Sequence, residues 1–139
     1  MAASTKPIAF VVDSSAMVAQ LFPDEKTTNK LNSAFTAFHQ GSTQFYAPLL
    51  LKYEVTNAIK TGILRKRFTA AISQKLLKQF LALSIKYQPT DFSLTLKLAT
   101  KYNLSVYDAA YLSLAKLKKC PLFSLDTTLA KLATSSRAL

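Results

Sequence analysis

The amino-acid sequence predicts a single α/β domain over residues 1–139, a three-layer α/β/α fold with a central parallel sheet. A length of 139 residues is that of one domain, and half of the residues are hydrophobic, which is enough for one core. Short apolar runs of strand length alternate along the chain with longer segments of helical periodicity. This alternation is typical of β–α–β units, whose strands are parallel and covered by helices.

The first half of the chain predicts two strands and two helices. Residues 8–12 form a continuous apolar run, the pattern of a strand buried on both faces. Asp13 and the serines after it have N-cap chemistry, and a short helix over 16–21 follows. A second helix is predicted over 27–39 and a second strand over 44–47.

The second half predicts five helices and one strand. Apolar residues recur there at helical spacing, and Gly62 and Pro89 mark the ends of the first two helices. The predicted elements are a helix from Pro48 to the Thr61-Gly62 step, a long helix over 69–87, a helix over 92–103, a buried helix from after Ser105 to 116–119, a strand over 121–125 and a last helix over 127–133.

Several features favour a soluble cytoplasmic protein. The longest apolar runs fall far short of the ~20 residues of a membrane-spanning helix. The N-terminal segment has one Lys and a short apolar run but no small-residue cleavage site, so we interpret it as the start of a strand and not as a signal peptide. Cys120 is the single cysteine and forms no intramolecular disulfide, which is typical of a reducing compartment.

The chain is strongly basic, with 18 Lys and Arg against 7 Asp and Glu and a net charge of +11. A charge of this sign favours a polyanionic partner through neutralisation of its phosphates or carboxylates. Nucleic acid, an anionic surface and an acidic protein all satisfy that requirement, and charge alone does not choose among them.

Four of the seven acidic residues are predicted at positions where they can converge. Asp13 and Asp126 follow strands, and ligands of open parallel sheets bind at the carboxyl ends of strands. Glu54 lies among apolar residues of its helix, and Asp108 lies in the first turn of a buried helix. The remaining three, Asp24, Glu25 and Asp91, are expected on the solvated surface.

Each of these four acids also has a purely structural interpretation. Asp13 and Asp126 can cap the helices that follow them, and Asp108 stands three residues after Ser105, as in a capping box. Glu54 can be an ordinary exposed glutamate. Taken together, however, clustered carboxylates repel one another unless a cation holds them. Ligands that are all oxygen suit Mg²⁺ or Mn²⁺, and such ions commonly serve reactions at phosphate.

Two other acid-bearing α/β folds fit poorly. A two-component receiver domain would have adjacent acids after the first strand, and Asp13 has no acidic neighbour. A haloacid-dehalogenase-type phosphatase would have D-x-D there, where this chain has Asp13-Ser14-Ser15.

Four segments resemble the motif blocks of PIN domains in their usual order. They span nearly the whole chain and are VVDSSAMV (11–18), APLLLKYEVTNAI (47–59), YNLSVYDAAYLSLA (102–115) and PLFSLDTTLAKLA (121–133). Each block alone is weakly specific, whereas E-V-x-N-A followed downstream by S-x-Y-D-A-x-Y is fairly specific. The length and spare architecture resemble the toxins of VapBC-type toxin–antitoxin pairs.

The resemblance implies a metal-dependent endoribonuclease. Its implied catalytic and metal-binding residues are Asp13, Glu54, Asp108 and, near a second metal position, Asp126, with Ser15, Asn57 and Ser124 in supporting roles. The implied cofactor is Mg²⁺ or Mn²⁺. Water activated by the metal would hydrolyse RNA to leave a 5′-phosphate and a 3′-hydroxyl. The implied role is that of a toxin that inhibits translation, a homodimer whose VapB-type antitoxin fills the acidic groove with its C-terminal segment.

Two further sets of residues each allow two interpretations. Arg65, Lys66 and Arg67 are either a solvated loop or a contact for RNA or antitoxin. The tyrosines beside the acids are predicted to pack in the core, with base stacking as the alternative; they are Tyr53, Tyr107 and Tyr111. His39 lies outside the motifs and is interpreted as structural. The alternative function is a non-catalytic PIN-fold module that binds RNA or protein.

Overall fold

The computed structural model describes residues 8–135, which contain four parallel strands and seven helices. The elements are β1 (Ile8–Val12), α1 (Ser14–Leu21), α2 (Asn29–His39), β2 (Thr43–Pro48), α3 (Leu50–Leu64), α4 (Ala70–Leu81), β3 (Lys86–Gln88), α5 (Phe92–Tyr102), α6 (Val106–Lys118), β4 (Leu122–Phe123) and α7 (Thr127–Thr134). The architecture confirms the predicted three-layer α/β/α fold. The start of the N-terminal segment, residues 1–7, lies outside the described residues.

The sheet has the strand order β3-β2-β1-β4, with β1 inside it between β2 and β4. Val11 and Val12 are fully buried, as the continuous apolar run predicted, but that prediction is wrong for Ile8, which is 65% exposed at the start of the strand. Phe10 pairs with Phe45 of β2, and Val11 pairs with Leu122 of β4. Because all the pairings are parallel, the carboxyl ends of β1, β2 and β4 lie at one edge of the sheet, and the loops that begin there meet.

Helix α6 is the most buried helix of the described chain and lies against β1, β2 and β4. All of its residues from Ala109 to Ala115 are buried. The buried hydroxyl of Ser113 in that run lies 3.0 Å from the Thr95 hydroxyl of α5 and bonds to the Ala110 carbonyl, so its polar group is satisfied. This rigid packing fixes the N-terminal end of α6 at the carboxyl edge of the sheet.

The prediction of one long helix over 69–87 is wrong for the residues after Leu81. Helix α4 ends at Leu81, and Lys86–Gln88 form the edge strand β3, paired with β2. Leu83 and Tyr87 continue the helical spacing, but they pack on the core from a turn and a strand. The backbone hydrogen bonds gained by pairing with β2 outweigh the local helical preference. A three-residue strand is also too short to show an alternating pattern that would contradict the helical spacing.

The predicted end of the helix after Pro48 is also wrong, because α3 continues through Gly62 to Leu64. Gly62 is buried in the last turn, where the ring of Phe68 occupies the space that a Cβ would take. The glycine is therefore required for close packing and does not terminate the helix. The chain leaves α3 at Lys66, whose φ of 57° is left-handed.

Helix α5 has nearly its predicted bounds, but its buried face is formed by Thr95, Leu98 and Ala99. Phe92 and Leu96, which belonged to the predicted apolar pattern, are 72% and 62% exposed. Within residues 8–135, no helix combines the length and the apolar character needed to cross a membrane.

Candidate active site

Asp13 is the buried acid of the site and lies directly after β1, with 6% of its surface exposed. Its Oδ1 accepts hydrogen bonds from the backbone N–H of Ala16 (3.0 Å) and the Ser15 hydroxyl (2.7 Å). The predicted capping of α1 is thus confirmed. Burial raises the pKa of Asp13 above its ordinary value, hydrogen bonds from Ser124, Ala16 and Ser15 oppose the rise, and the charge of Asp108 adds to it.

Glu54 is held by a tyrosine on another helix. The hydroxyl of Tyr111 in α6 donates a hydrogen bond of 2.6 Å to Oε1 of Glu54 in α3. Tyr111 is 1% exposed, and its pKa is raised well above the usual range by burial, by the hydrogen bond to Glu54 and by the charges of Glu54 and Asp13. A hydrogen bond with Ser14 acts in the opposite direction. Tyr111 therefore lies between Glu54 and the start of α1.

Sequence reasoning predicted the burial of Tyr111, which is confirmed, but missed its bond to Glu54. A signal for it exists in the segment YDAAY. Tyr111 stands three residues after Asp108, so both side chains project from one face of α6. A buried tyrosine hydroxyl also needs a polar partner, and a nearby carboxylate satisfies it.

Asp108 lies in the first turn of α6 and is half-buried. Its backbone N–H donates to the Ser105 hydroxyl (3.0 Å), so the predicted capping by Ser105 is confirmed. This bond uses the backbone of Asp108 and leaves its carboxylate available. The charge of Asp108 contributes to the raised pKa of Asp13, after burial as the main cause.

Asp126 lies at the same edge of the sheet but is exposed. Its Oδ1 accepts from the backbone N–H of Leu129 (3.0 Å) and caps α7, as predicted. Its own backbone N–H donates to the Ser124 hydroxyl (3.0 Å). The hydroxyl of Ser15 accepts from the backbone N–H of Leu125 (2.9 Å) while it donates to Asp13. The two serines thus connect the loop after β4 to the buried acid, and Asp126 is the outermost of the four.

The donor set at this edge consists of carboxylate and hydroxyl oxygens, which suit a hard divalent cation. As they stand, no three His, Cys, Asp or Glu residues of 8–135 form a group that could hold a metal ion. Mg²⁺ does not need three protein ligands, because it usually binds one or two carboxylates and keeps several waters. Asp13 and Asp108 are the two carboxylates that would hold such an ion, and a bound cation would offset the free-energy cost of ionising the buried Asp13.

A cavity of about 370 Å³ opens beside Glu54. It is lined by Ser14, Leu50, Tyr53, Glu54, Asn57, Ala58 and Tyr107. The prediction of core packing is wrong for Tyr53 and Tyr107, which are 76% and 61% exposed. Leu51 and Val55 are the α3 residues that fill the core, and the buried part of α6 begins only at Ala109. Asn57, one turn after Glu54, borders the same cavity, as its spacing predicted.

The basic loop after α3 is only partly available to a partner. Arg67 makes a two-pronged ion pair with Asp24 (2.7 and 2.8 Å) and a further one with Glu25 (2.9 Å). These bonds raise the pKa of Arg67 and lower that of Asp24. Arg67 thus ties this loop to the one after α1, whereas Arg65 and Lys66 are exposed.

His39 is exposed at the end of α2, beside the ring of Phe38 and outside the carboxylate site.

Known proteins resemble this chain over nearly all of its length. The family model described as PIN domain matches residues 10–134. Ribonuclease VapC3 of Pyrobaculum aerophilum is 31% identical in an alignment of 125 residues, and the alignment covers 87% of this chain and 92% of that protein. The crystal structure of PAE2754 from Pyrobaculum aerophilum superposes with a TM-score of 0.67 at 22% identity, covering 92% of this chain and 91% of that one. At that identity the structural likeness supports the fold alone.

Proposed function

Because this chain belongs to the PIN-domain family, among its VapC-type ribonucleases, we propose that it is a metal-dependent endoribonuclease and the toxin of a type II toxin–antitoxin module that inhibits translation. One observation carries the proposal. The 2.6 Å hydrogen bond from Tyr111 fixes Glu54 to the helix that carries Asp108, and Asp13 follows β1 at the carboxyl edge of the parallel sheet. A site with these acids and a basic surface suits hydrolysis of a phosphodiester.

The cofactor that we propose is Mg²⁺ or Mn²⁺, held by Asp13 and Asp108 with Glu54 and Asp126 beside them. The chemistry that such a bound ion supplies is activation of water and neutralisation of charge on the phosphate oxygens. Glu54, fixed by Tyr111 and facing the cavity, orients the attacking water and accepts its proton. The Ser14 hydroxyl and the Asn57 amide line the same cavity and can donate hydrogen bonds to the phosphate.

The partners follow from the same assignment. The substrate is RNA, and the net charge of +11 raises its local concentration at the surface. A VapB-type antitoxin would cover the acidic groove, and the protein would act as a homodimer in the cytoplasm. Of the basic loop, Arg65 and Lys66 are the residues we propose to contact RNA or antitoxin, since Arg67 is engaged by Asp24 and Glu25.

A cleavage assay tests this function. Protein freed of antitoxin is incubated with RNA in Mg²⁺, in Mn²⁺ and in EDTA, beside the variants Asp13→Asn and Asp108→Asn. We expect cleavage with either metal, none in EDTA, and none in either variant. Cleavage that persists in EDTA or in both variants would assign the activity to a contaminant or to another site.

The alternative function is a non-catalytic module of the same fold that binds RNA or protein. One observation favours it, namely that the described acids do not form a ready group of three metal ligands. Failure of the protein to cleave any RNA in either metal, together with retained RNA or partner binding, would support this alternative.

A further inference from the structure

Two exposed tyrosines flank the carboxylate site. Tyr53 in α3 is 76% exposed and Tyr107 in α6 is 61% exposed. Both border the cavity that contains Glu54 and Asn57. Both also border a second cavity of about 380 Å³, whose wall includes Phe92 and which is largely apolar. An aromatic surface of this kind at the mouth of a site, left open by the fold, is typical of ligand binding.

Two cationic side chains adjoin the ring of Tyr53. Lys52 and Lys60 line a groove on α3 together with Tyr53 and Asn57. The ammonium of Lys52 lies 4.6 Å from the centre of the Tyr87 ring, which holds this charge beside the groove. Among the described residues that line the two cavities and the groove, Glu54 is the only acid. Aromatic rings next to cations at a hydrolytic site match a ligand with flat apolar faces and a phosphate backbone.

We propose that Tyr53 and Tyr107 form a base-stacking subsite for single-stranded RNA, next to the phosphate that is cleaved, with Lys52 and Lys60 contacting neighbouring phosphates. The proposal rests on the nuclease function and specifies the form of its substrate. A protein ring reaches the face of a base only when that base is unstacked, so a base-paired helix does not fit the subsite and a loop or single strand does.

Binding at this subsite also costs little side-chain conformational entropy. A tyrosine has two rotatable side-chain angles, so little freedom is lost when a base stacks on it. Stacking tolerates any base, because every base has a π-face. The two tyrosines would therefore contribute affinity and selection for unpaired RNA, while sequence preference would depend on other contacts.

Binding measurements test the proposal without relying on cleavage. The protein is titrated in EDTA into a fluorescently labelled single-stranded RNA of about twelve nucleotides. A duplex of the same sequence and an abasic oligonucleotide of the same length are titrated in parallel. The variants are Tyr53→Leu with Tyr107→Leu, which remove both rings, and Tyr53→Phe with Tyr107→Phe, which keep the rings and remove the hydroxyls. Both positions are exposed, so either double variant should fold.

We expect the leucine variant to bind single-stranded RNA about tenfold more weakly, the range that loss of base stacking produces. Its affinity for the abasic oligonucleotide, which has phosphates but no bases, should change less than about twofold, and the phenylalanine variant should bind like the unmodified protein. Equal losses for RNA and abasic oligonucleotide, or no loss for either, would overturn the stacking subsite.

Two further outcomes separate this inference from its competitors. If the leucine variant binds RNA normally but sediments as a smaller species than the unmodified protein, the rings belong to an interface between two copies, and the proposal is wrong. If the unmodified protein cuts no RNA but shows the expected base-dependent binding, the nuclease function fails while the subsite stands. Normal cleavage with KM unchanged in the leucine variant would contradict the subsite and leave the nuclease intact.

Discussion

The hydroxyl of Tyr111 donates a 2.6 Å hydrogen bond to Glu54 and connects α6 to α3 at the candidate active site. Tyr111 is almost fully buried, so its ring cannot move away without opening the core. The same helix carries Asp108 one turn earlier. One buried side chain thus fixes the acid on α3 to the helix that carries Asp108. Tyr111 is a positioning residue, because it acts through Glu54.

Replacement of Tyr111 by Phe should lower RNA cleavage by about 10- to 100-fold, the usual cost of losing a residue that orients a ligand of a metal site. The ring is kept, so we expect the melting temperature to change little. The measurement is cleavage as a function of Mn²⁺ concentration, in which the variant should need more metal for half-maximal activity.

Tyr46→Phe is the matched control for this variant. The Tyr46→Phe variant also loses one hydroxyl hydrogen bond, to Gln44. The ring of Tyr46, however, lies next to Lys118, at the far end of α6 from Asp108. RNA cleavage by this variant should therefore be unchanged. Equal cleavage by the Tyr111 and Tyr46 variants would show that the bond to Glu54 has no role in positioning.

Asp13→Asn should stabilise the metal-free protein at neutral pH while it abolishes cleavage. The folded-state pKa of Asp13 is raised above 3.8, so the folded protein binds this proton more tightly than the unfolded chain. The stability due to protonated Asp13 is complete below about pH 3.8 and is lost as the pH rises through the raised pKa. Asparagine keeps the Oδ1 that accepts from Ala16 and Ser15.

Thermal unfolding in EDTA measures this effect. We expect the melting temperature of Asp13→Asn at pH 7.5 to exceed that of the unmodified protein by about 4 °C, and the gap to close toward pH 4. Asp24→Asn is the control of opposite sign, because Arg67 lowers the pKa of Asp24 and the stability from that pair is lost as the pH falls. A lower melting temperature for Asp13→Asn at pH 7.5 would contradict the assignment.

Asp126→Ser should separate the capping role of Asp126 from its proposed role near a second metal position. Serine caps helices about as well as aspartate, so α7 should keep its stability while the carboxylate is removed. We expect cleavage to fall about tenfold, less than for Asp13 or Asp108, because Asp126 is exposed and outermost. Asp91→Ser, which changes the cap of α5 in the same way, should cleave normally. If the two serine variants are equally active, Asp126 is only a cap.

Arg65→Ala and Arg67→Ala should have different effects although they lie two residues apart. Arg65 is exposed, and its loss should weaken RNA binding and lower the slope of log Kd against log salt by about one. Arg67 is engaged by Asp24 and Glu25, so its loss should lower the melting temperature and leave that slope unchanged. Binding in EDTA at several salt concentrations, together with thermal unfolding, measures both. The reverse pattern would make Arg67 the RNA contact.

The sequence predicted those parts of the molecule in which local pattern and tertiary packing agree. The apolar run of β1 and the acid after it were sufficient to place Asp13 at the carboxyl edge of the sheet. The capping serine before Asp108 likewise fixed the start of α6. Burial of Val11 and Val12 on both faces leaves such a strand no alternative structure.

The errors arose where a tertiary contact decides between two local interpretations. Strand β3 exists because β2 offers it a pairing edge, which no periodicity reveals. Gly62 lies inside its helix, where the absence of a side chain leaves room for the ring of Phe68, six residues later. The exposure of Tyr53 and the bond between Tyr111 and Glu54 depend on how α3 meets α6. Residues far apart in the chain determine these features, so one sequence is not sufficient to predict them.

The proposed function depends on the binding of a divalent cation by Asp13 and Asp108, with Glu54 beside them. Anomalous diffraction from a crystal of the protein soaked in Mn²⁺ is the test. We expect an anomalous peak at the carboxyl edge of the sheet, with oxygens of Asp13 and Asp108 at about 2.1 Å and water in the remaining positions. Mn²⁺ bound elsewhere, or an edge without any peak at saturating Mn²⁺, would contradict it.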